Sequence, residues 1–333
     1  MLIVFNPAAG GRRRRRLARA LAVLGLQGLR PDVAETARPG HATELARGAA
    51  ARGVGMVVAA GGDGTIAEVA SGLAGSAALL GILPFGTANV LAWELGLPPA
   101  PERAARVLTG GRAAVLRPGV ARFGDGRERL FVQMVGAGFD AAVVADLDLA
   151  LKRRVGKAAY VAQAARQLFR YPFPRFAAVL DGAAQETVAS AIVTKGRLYA
   201  GRHLLAPDAA PGEPGFRVAL FRGGGPARAA LYGAALPLDL LPRLPGVEIR
   251  RASRVRLLAA PGPAVPAQAD GDPAGALPVE IEDAAGPLRV MLPSPPRGAG
   301  GSPVAQAPDP DRWRGGAAQA GLAQKGTGRT GNL

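Results

Sequence analysis

Over its first hundred residues the chain alternates short apolar runs with stretches of helical period. Strands are expected at 2–5, 32–35, 55–60 and 79–84, and helices at 12–24, 42–52, 66–73 and 88–95. In the first helix Leu17, Leu21 and Leu24 fall on one face. A strand that is always followed by a helix cannot pair with the next strand through a hairpin. It must cross over, and the result is a doubly wound parallel sheet.

The pattern changes near residue 112. Short strands are expected at 115–123, 130–135, 176–180, 187–195, 216–221, 247–258 and 279–281, interrupted by a single helix at 157–169. That spacing describes a mainly antiparallel β-sandwich domain. The fold class is therefore α/β plus β, with a nucleotide-binding type domain at 1–111 and a β-rich domain at 112–292. A last strand at 288–292 could return to either. Residues 293–333 are rich in Pro, Gly, Ala and Ser without apolar periodicity, and are expected to be a disordered tail.

Lys and Arg number 41 against 25 Asp and Glu, a net charge of +16. Such a surface attracts nucleic acid, anionic lipid or phosphorylated small molecules. Aromatic residues make up only 5% of the chain and no nucleic-acid-binding motif is present, so nucleic acid is not expected as a partner. The chain has no cysteine, which excludes disulfides and thiolate metal sites. No run reaches the roughly 18–20 apolar residues of a membrane span; the longest candidate, 229–241, contains Pro237 and Asp239. The opening "MLIVFNPAAGGRRRRR" puts its charges after the apolar run, the reverse of a signal peptide. The expectation is a soluble, cytoplasmic protein, peripheral at the anionic inner membrane surface, with homodimer formation left open.

The stretch "MVVAAGGDGTIAEVASGLAG" sets Asp63 inside a glycine turn between a strand and a helix. Glycines let backbone approach a ligand, and a helix start offers free N–H groups to an anion. Asp63 would repel a phosphate unless a cation lay between them, which points to a nucleotide carrying Mg²⁺. The alternative is a tight turn with Asp63 capping its own helix. Two more strand-to-helix turns, Asn6-Pro7-Ala8-Ala9-Gly10 and Pro84-Phe85-Gly86-Thr87-Ala88-Asn89, fall on the same sheet edge and make a cleft of backbone donors.

"NPAAGG", "GGDGTIAEV" and "LPFGTANVLA", in this order, resemble the diacylglycerol kinase catalytic family, the bacterial soluble lipid kinases related to sphingosine and NAD kinases. "GAGFDA" (136–141), "KRRVGKAAYV" (152–161) and "QADGDPAG" (268–275) agree, so the resemblance spans about 1–292. It implies a two-domain fold, ATP and Mg²⁺ in the interdomain cleft, and phosphoryl transfer to a lipid hydroxyl. By position, Asn6, Pro7, Ala8, Ala9, Gly10, Thr36, Gly61, Gly62, Asp63, Gly64, Thr65, Ile66, Ala67 and Thr87 would hold ATP, with Asp63 toward the metal. The family's D-G-E becomes Asp270-Gly271-Asp272, one carboxylate taking the lipid hydroxyl's proton and the other ordering metal-bound water. Read on its own, that stretch is an Asp-Gly hairpin turn.

The chain departs from the family pattern in three places. Ala67 stands where Asn is common, and Asp272 is a methylene shorter than Glu. The family's D-D-G-x-L-D-V, which supports a structural Mg²⁺, is here Gly212-Glu213-Pro214-Gly215-Phe216-Arg217-Val218, with Glu213 the one acid left. Arg12–Arg16 and Lys152–Arg154 read either as phosphate clamps or as solvated faces meeting anionic membrane, and Trp93 and Tyr160 as core. The leading expectation is an ATP-dependent lipid kinase. A sphingoid-base or NAD-type kinase and a non-catalytic nucleotide- or lipid-binding protein are the alternatives.

Overall fold

The computed structural model describes residues 1–7, 11–147 and 157–295. The first part runs β1 (Leu2–Phe5), α1 (Gly11–Leu26), β2 (Asp32–Glu35), α2 (His41–Ala51), β3 (Met56–Gly61), α3 (Asp63–Leu73), β4 (Leu79–Pro84), α4 (Val90–Glu94), α5 (Pro101–Gly110) and β5 (Arg112–Leu116). Then follow β6 (Gly119–Phe123), β7 (Glu128–Phe131), β8 (Met134–Ala137), α6 (Phe139–Ala145), α7 (Lys157–Arg170), β9 (Phe176–Leu180), β10 (Glu186–Val188), β11 (Ser190–Thr194), β12 (Leu198–Tyr199) and β13 (His203–Leu204). The last elements are β14 (Phe216–Phe221), α8 (Pro226–Ala235), β15 (Val247–Ala252), β16 (Arg254–Leu258), β17 (Pro266–Ala269), β18 (Asp272–Ala276), β19 (Val279–Asp283) and β20 (Leu288–Leu292).

The first sheet has the order β2-β1-β3-β4-β20-β5. Strands β1 to β4 are parallel, β20 joins β4 in parallel, and β5 closes the edge antiparallel to β20. Both faces are covered, which explains why β1 and β3 are almost wholly apolar. On one side Leu17, Ala20 and Leu24 of α1 and Ala104, Ala105 and Leu108 of α5 pack on Ile3, Phe5 and Val58. On the other, Ala42, Ala46 and Ala49 of α2 and Ile66, Val69 and Leu73 of α3 cover Val4, Val57 and Ile82. Thus the final strand belongs to this lobe.

The second lobe is a sandwich of two six-stranded sheets, β10-β9-β16-β19-β6-β7 and β15-β14-β11-β8-β17-β18, antiparallel throughout. Phe131, Phe176, Phe216, Val255 and Ile281 fill the space between them. The outer face of the second sheet carries a separate cluster of Met134, Ile192, Phe221 and Leu241, with Tyr199, Tyr232 and Leu236 packed against it. Both lobes belong to one unit, Met1–Ser294. Of the expected tail, 296–333 lie outside the described residues.

Four expected strands prove to be two strands each; 130–135 takes in the end of β7 and the start of β8, which lie in different sheets. The 115–123 run breaks at Arg117-Pro118 and passes from the first sheet into the sandwich. Likewise 187–195 changes sheets at Ala189, and 247–258 at Ser253. The stretch 229–241 is no span: α8 stops at Ala235 and two short 3₁₀ turns follow. Among the described residues no helix is long and apolar enough to cross a membrane.

Candidate active site

In a doubly wound sheet, loops at the carboxyl ends of strands open a crevice where the strand order reverses. Here the reversal lies between β1 and β3, and three loops meet there. Asn6, leaving β1, donates from Nδ2 to Thr65 Oγ1 of α3 at 3.1 Å. The Phe85 N–H donates to Gly61 O at 2.8 Å, tying the β4 loop to the β3 loop. A Cβ on Gly62 would lie 3.2 Å from Gly86 Cα, so the two backbones touch and any side chain would push them apart. Asn89, in the left-handed region at φ 49°, closes the 86–89 loop on itself. Its Oδ1 accepts the Gly86 N–H at 2.9 Å and its Nδ2 donates to Gly86 O at 2.9 Å.

Asp63 does not cap its own helix; Gly62 occupies that position with no side-chain bond. The Asp63 carboxylate turns instead to the start of α4 and accepts the Leu91 N–H at 3.4 Å. Burial raises its pKa above the ordinary carboxylate value, while the N–H groups of Leu91, Val90 and Asn89 oppose that shift.

The second lobe contributes the β17–β18 hairpin. Its two turn residues, Asp270 and Gly271, have φ of 49° and 83°, the signature of a type I′ turn. The Asp-Gly hairpin expectation therefore describes the turn itself. The same geometry throws the Asp270 side chain back onto the 132–134 backbone. Its Oδ2 accepts the Val132 N–H at 2.8 Å, and its Oδ1 accepts those of Gln133 at 2.8 Å and Met134 at 2.9 Å. Burial lifts this carboxyl to about 6, with the charge of Asp63 adding to the rise and the three N–H groups holding it down. Asp272 reaches across to the first lobe: a Cβ on Gly64 would lie 2.8 Å from its Oδ2. A side chain at 64 would displace the carboxylate from the first turn of α3, where the positive end of the helix favours it.

A buried ion pair braces the two lobes beside these loops. Glu94 of α4 accepts the Arg197 and Leu198 N–H groups at 2.8 and 2.9 Å and pairs with Arg197 Nε at 2.9 Å.

Between the lobes lies a cleft of about 1580 Å³ lined by Asn6, Thr36, Gly62, Asp63, Gly64, Thr65, Ala67, Thr87, Asp270 and Asp272. It runs without interruption into an apolar chamber walled by Phe139 and Val143 of α6, Tyr160 and Leu168 of α7, Tyr232 of α8, and Ile192 and Phe221 of the sheet. A buried carboxylate sits in the chamber wall. Asp140 accepts hydrogen bonds from the Tyr199 hydroxyl and from Gln268 Nε2, and burial raises its pKa.

Ten of the expected site residues thus share one cleft, and two described ones do not line it. Gly61 is buried at the end of β3, and Ile66 points into the core beneath α3 while its N–H is spent on Gly62 O. Ala8, Ala9 and Gly10, with Pro7 at their edge, and Lys152–Arg154 fall at or outside the limits of the described residues. The arginine run divides by helix face. Arg14 pairs with Glu35, Arg16 donates to Pro84 O at 2.9 Å, and Arg13 alone of the five lines the cleft. Tyr160 is chamber wall, and Trp93 is only partly buried, with the Arg202 guanidinium over its ring. Sequence reasoning missed Asn89, Glu94 and Asp140 as individual site residues and did not single out Arg13 within the Arg12–Arg16 run. Asn89 and Asp140 stand inside motifs already quoted, and Arg13 differs from its neighbours only by its place on the helix.

Two lobes with a glycine cradle on one side and an acidic hairpin over an apolar chamber on the other define a protein of the diacylglycerol kinase class. Residues 1–119 match the diacylglycerol kinase catalytic domain, and 133–292 match the YegS C-terminal NAD kinase beta sandwich-like domain. A Pseudomonas putida protein named "Probable lipid kinase YegS-like" is 31% identical over 291 residues, which is 83% of this chain and 88% of the relative. A Serratia proteamaculans protein of the same name is 34% identical over 168 residues, 48% of this chain and 52% of the relative. The crystal structure of a diacylglycerol kinase from Bacillus anthracis shares the fold with a TM-score of 0.68 at 21% identity, covering 87% of this chain and 96% of its own. The chain belongs to the YegS-like lipid kinase family.

Proposed function

We propose that the protein transfers the γ-phosphate of ATP to the hydroxyl of a diacylglycerol-like lipid, with ATP on the first lobe and the lipid in the chamber. One observation carries this reading: a single cleft joins the glycine cradle to an apolar chamber, with Asp270 in its wall.

The residues fit a nucleotide. Arg13 lines the cleft with its Nε buried and without a hydrogen-bond partner among the described residues, an orphan donor that a phosphate would satisfy. The touching backbones of Gly62 and Gly86 leave the cradle open to a ligand's close approach. They fit Mg²⁺ only together with that nucleotide. Among the described residues no three acidic or histidine side chains gather as a metal cluster, so the ion would be held by the nucleotide together with Asp63 or Asp272. When bound, Mg²⁺ neutralises charge on the transferring phosphoryl group.

The chain's own residues then do three things. The cradle and Arg13 hold the phosphates. Asp270 keeps one of its four lone-pair positions free after accepting three N–H bonds, and that position takes the acceptor hydroxyl's proton. The lipid oxygen bonds to the γ-phosphorus as the bond to the departing ADP oxygen breaks. Asp272, against the start of α3, orders solvent near the metal. Around the chamber Val161 and Phe169 of α7 and Leu231 of α8 are exposed, with Leu238 and Leu240 just beyond, and Arg166, Arg170 and Arg228 beside them. That collar supports docking on an anionic membrane surface.

Asp270→Asn tests the reading. ATP affinity should stay within about twofold, since the other lobe holds the nucleotide, while lipid phosphorylation should fall by about 10²–10⁴. Full turnover in the variant would remove Asp270 as base. Loss of ATP binding in step with turnover would remove the division of labour between lobes.

A further inference from the structure

Lys195 follows β11 inside the second lobe, and its side chain is 0% exposed. An ammonium has three protons to donate. All three find oxygen: Glu213 O at 3.3 Å, Gly215 O at 2.8 Å and Asp283 Oδ1 at 2.5 Å. The other Asp283 oxygen accepts the Gly215 N–H at 2.7 Å, so the carboxylate fixes both the cation and the turn around it. The Phe216 ring closes the remaining side, with the ammonium 4.5 Å from its centroid. Burial pulls the lysine pKa down and the Asp283 bond pulls it back up.

Main-chain carbonyls and a carboxylate closing on a buried positive charge make a cation cage, and this one is on the 212–217 turn where the family pattern implies a structural Mg²⁺. A divalent ion does not fit. It would need six or more oxygens, and the space left beside the ammonium is about 10 Å³, room for one water. The position of the family's last acid is Arg217, itself paired with Asp208 at 2.9 Å, which adds positive charge where a metal would need negative.

We infer that the Lys195 ammonium is a tethered internal cation standing in for a structural divalent metal, so that this lobe holds its shape without one. This goes beyond the proposed reaction and does not depend on it. The cage also bears on the site. The Lys195 N–H donates to Gln133 O at 2.8 Å, and the Gln133 N–H holds Asp270.

Thermal unfolding of the full chain without nucleotide tests it, with excess EDTA against millimolar Mg²⁺ or Ca²⁺, alongside metal analysis of the purified protein. The wild type should melt at the same temperature in both and carry no stoichiometric metal. Lys195→Ala, which strips the Asp283 carboxylate and two buried carbonyls of their partner, should lose about 5 °C. Ca²⁺ or Mg²⁺ should restore part of that loss by entering the emptied cage, and should restore nothing in Lys195→Ala/Asp283→Asn. A wild type that melts early in EDTA and recovers with Mg²⁺ would overturn the inference. So would an unchanged melting temperature in Lys195→Ala, or a destabilised Lys195→Ala that neither ion rescues. If Lys195→Ala does not fold, the wild-type arm still decides, and Lys195→Met should be destabilised in the same sense.

Discussion

Glu94 is the side chain through which the two lobes hold each other, and its removal has a calculable cost. Its carboxylate side chain is 1% exposed and its partner Arg197 16%. Glu94→Ala leaves two backbone N–H groups and a guanidinium without their acceptor. Each stranded donor costs about 1–3 kcal/mol, and breaking a buried pair from one side about 3–5 kcal/mol. The terms overlap, so about 4 kcal/mol is expected, or roughly 6 °C in Tm for a chain of this size. Glu94→Gln keeps a carbonyl for the N–H groups and should lose about half as much. The assay is thermal unfolding followed by intrinsic fluorescence, completed as a cycle with Arg197→Ala. Once Glu94 is gone, Arg197→Ala should cost little more, because the two act as a unit. A Glu94→Ala protein melting within about 2 °C of wild type, or losses that simply add, would refute the brace.

Asp270 makes activity and stability depend on pH in opposite senses. With a carboxyl near 6, the base becomes competent as pH rises through that value, and turnover should climb with a midpoint of about 6. The folded pKa is raised above the unfolded one, so the folded state keeps a proton that the unfolded state has lost. The contribution of Asp270 to stability is therefore fullest below about pH 4 and declines by about 3 kcal/mol as pH rises to 6 and beyond. The difference between wild type and Asp270→Asn in urea unfolding, measured from pH 4 to 7, should carry that slope; a flat difference would mean an unshifted carboxyl. Phe169 is 88% exposed, and Phe169→Asp should weaken binding to anionic vesicles about tenfold or more if it enters the bilayer surface. Unaltered vesicle binding would take α7 out of the docking surface.

The parallel sheet was legible because its central strands β1, β3 and β4 are buried on both faces and read as unbroken apolar runs. The cradle was legible because its glycines stand where backbone meets backbone: a Cβ on Gly86 would lie 2.4 Å from Gly62 Cα. What escaped was decided by the third dimension. Val115–Phe123 looks like one apolar run, yet its two halves belong to different sheets. Serial pattern carries no information about which layer a strand joins. The roles of Asp63 and Asp270 were equally hidden in part. Both stand in glycine turns, and the turn readings hold for the backbone, but only the folded chain shows Asp63 aimed at the neighbouring helix and Asp270 at three amides from the other end of the lobe. Lys195 drew no notice, because an isolated lysine after a strand reads as solvated until its burial is seen.

The central claim is that one cleft joins a nucleotide to a lipid alcohol. Incubation of the wild type with ATP labelled at the γ-phosphate, Mg²⁺ and a total lipid extract in mixed micelles tests it directly. The organic phase is then resolved and identified by mass, and ADP is counted in parallel. The account predicts label in a phosphorylated lipid, with one ADP formed for each molecule of product. ADP released without labelled lipid, or ATP bound and left intact across the whole extract, would contradict it.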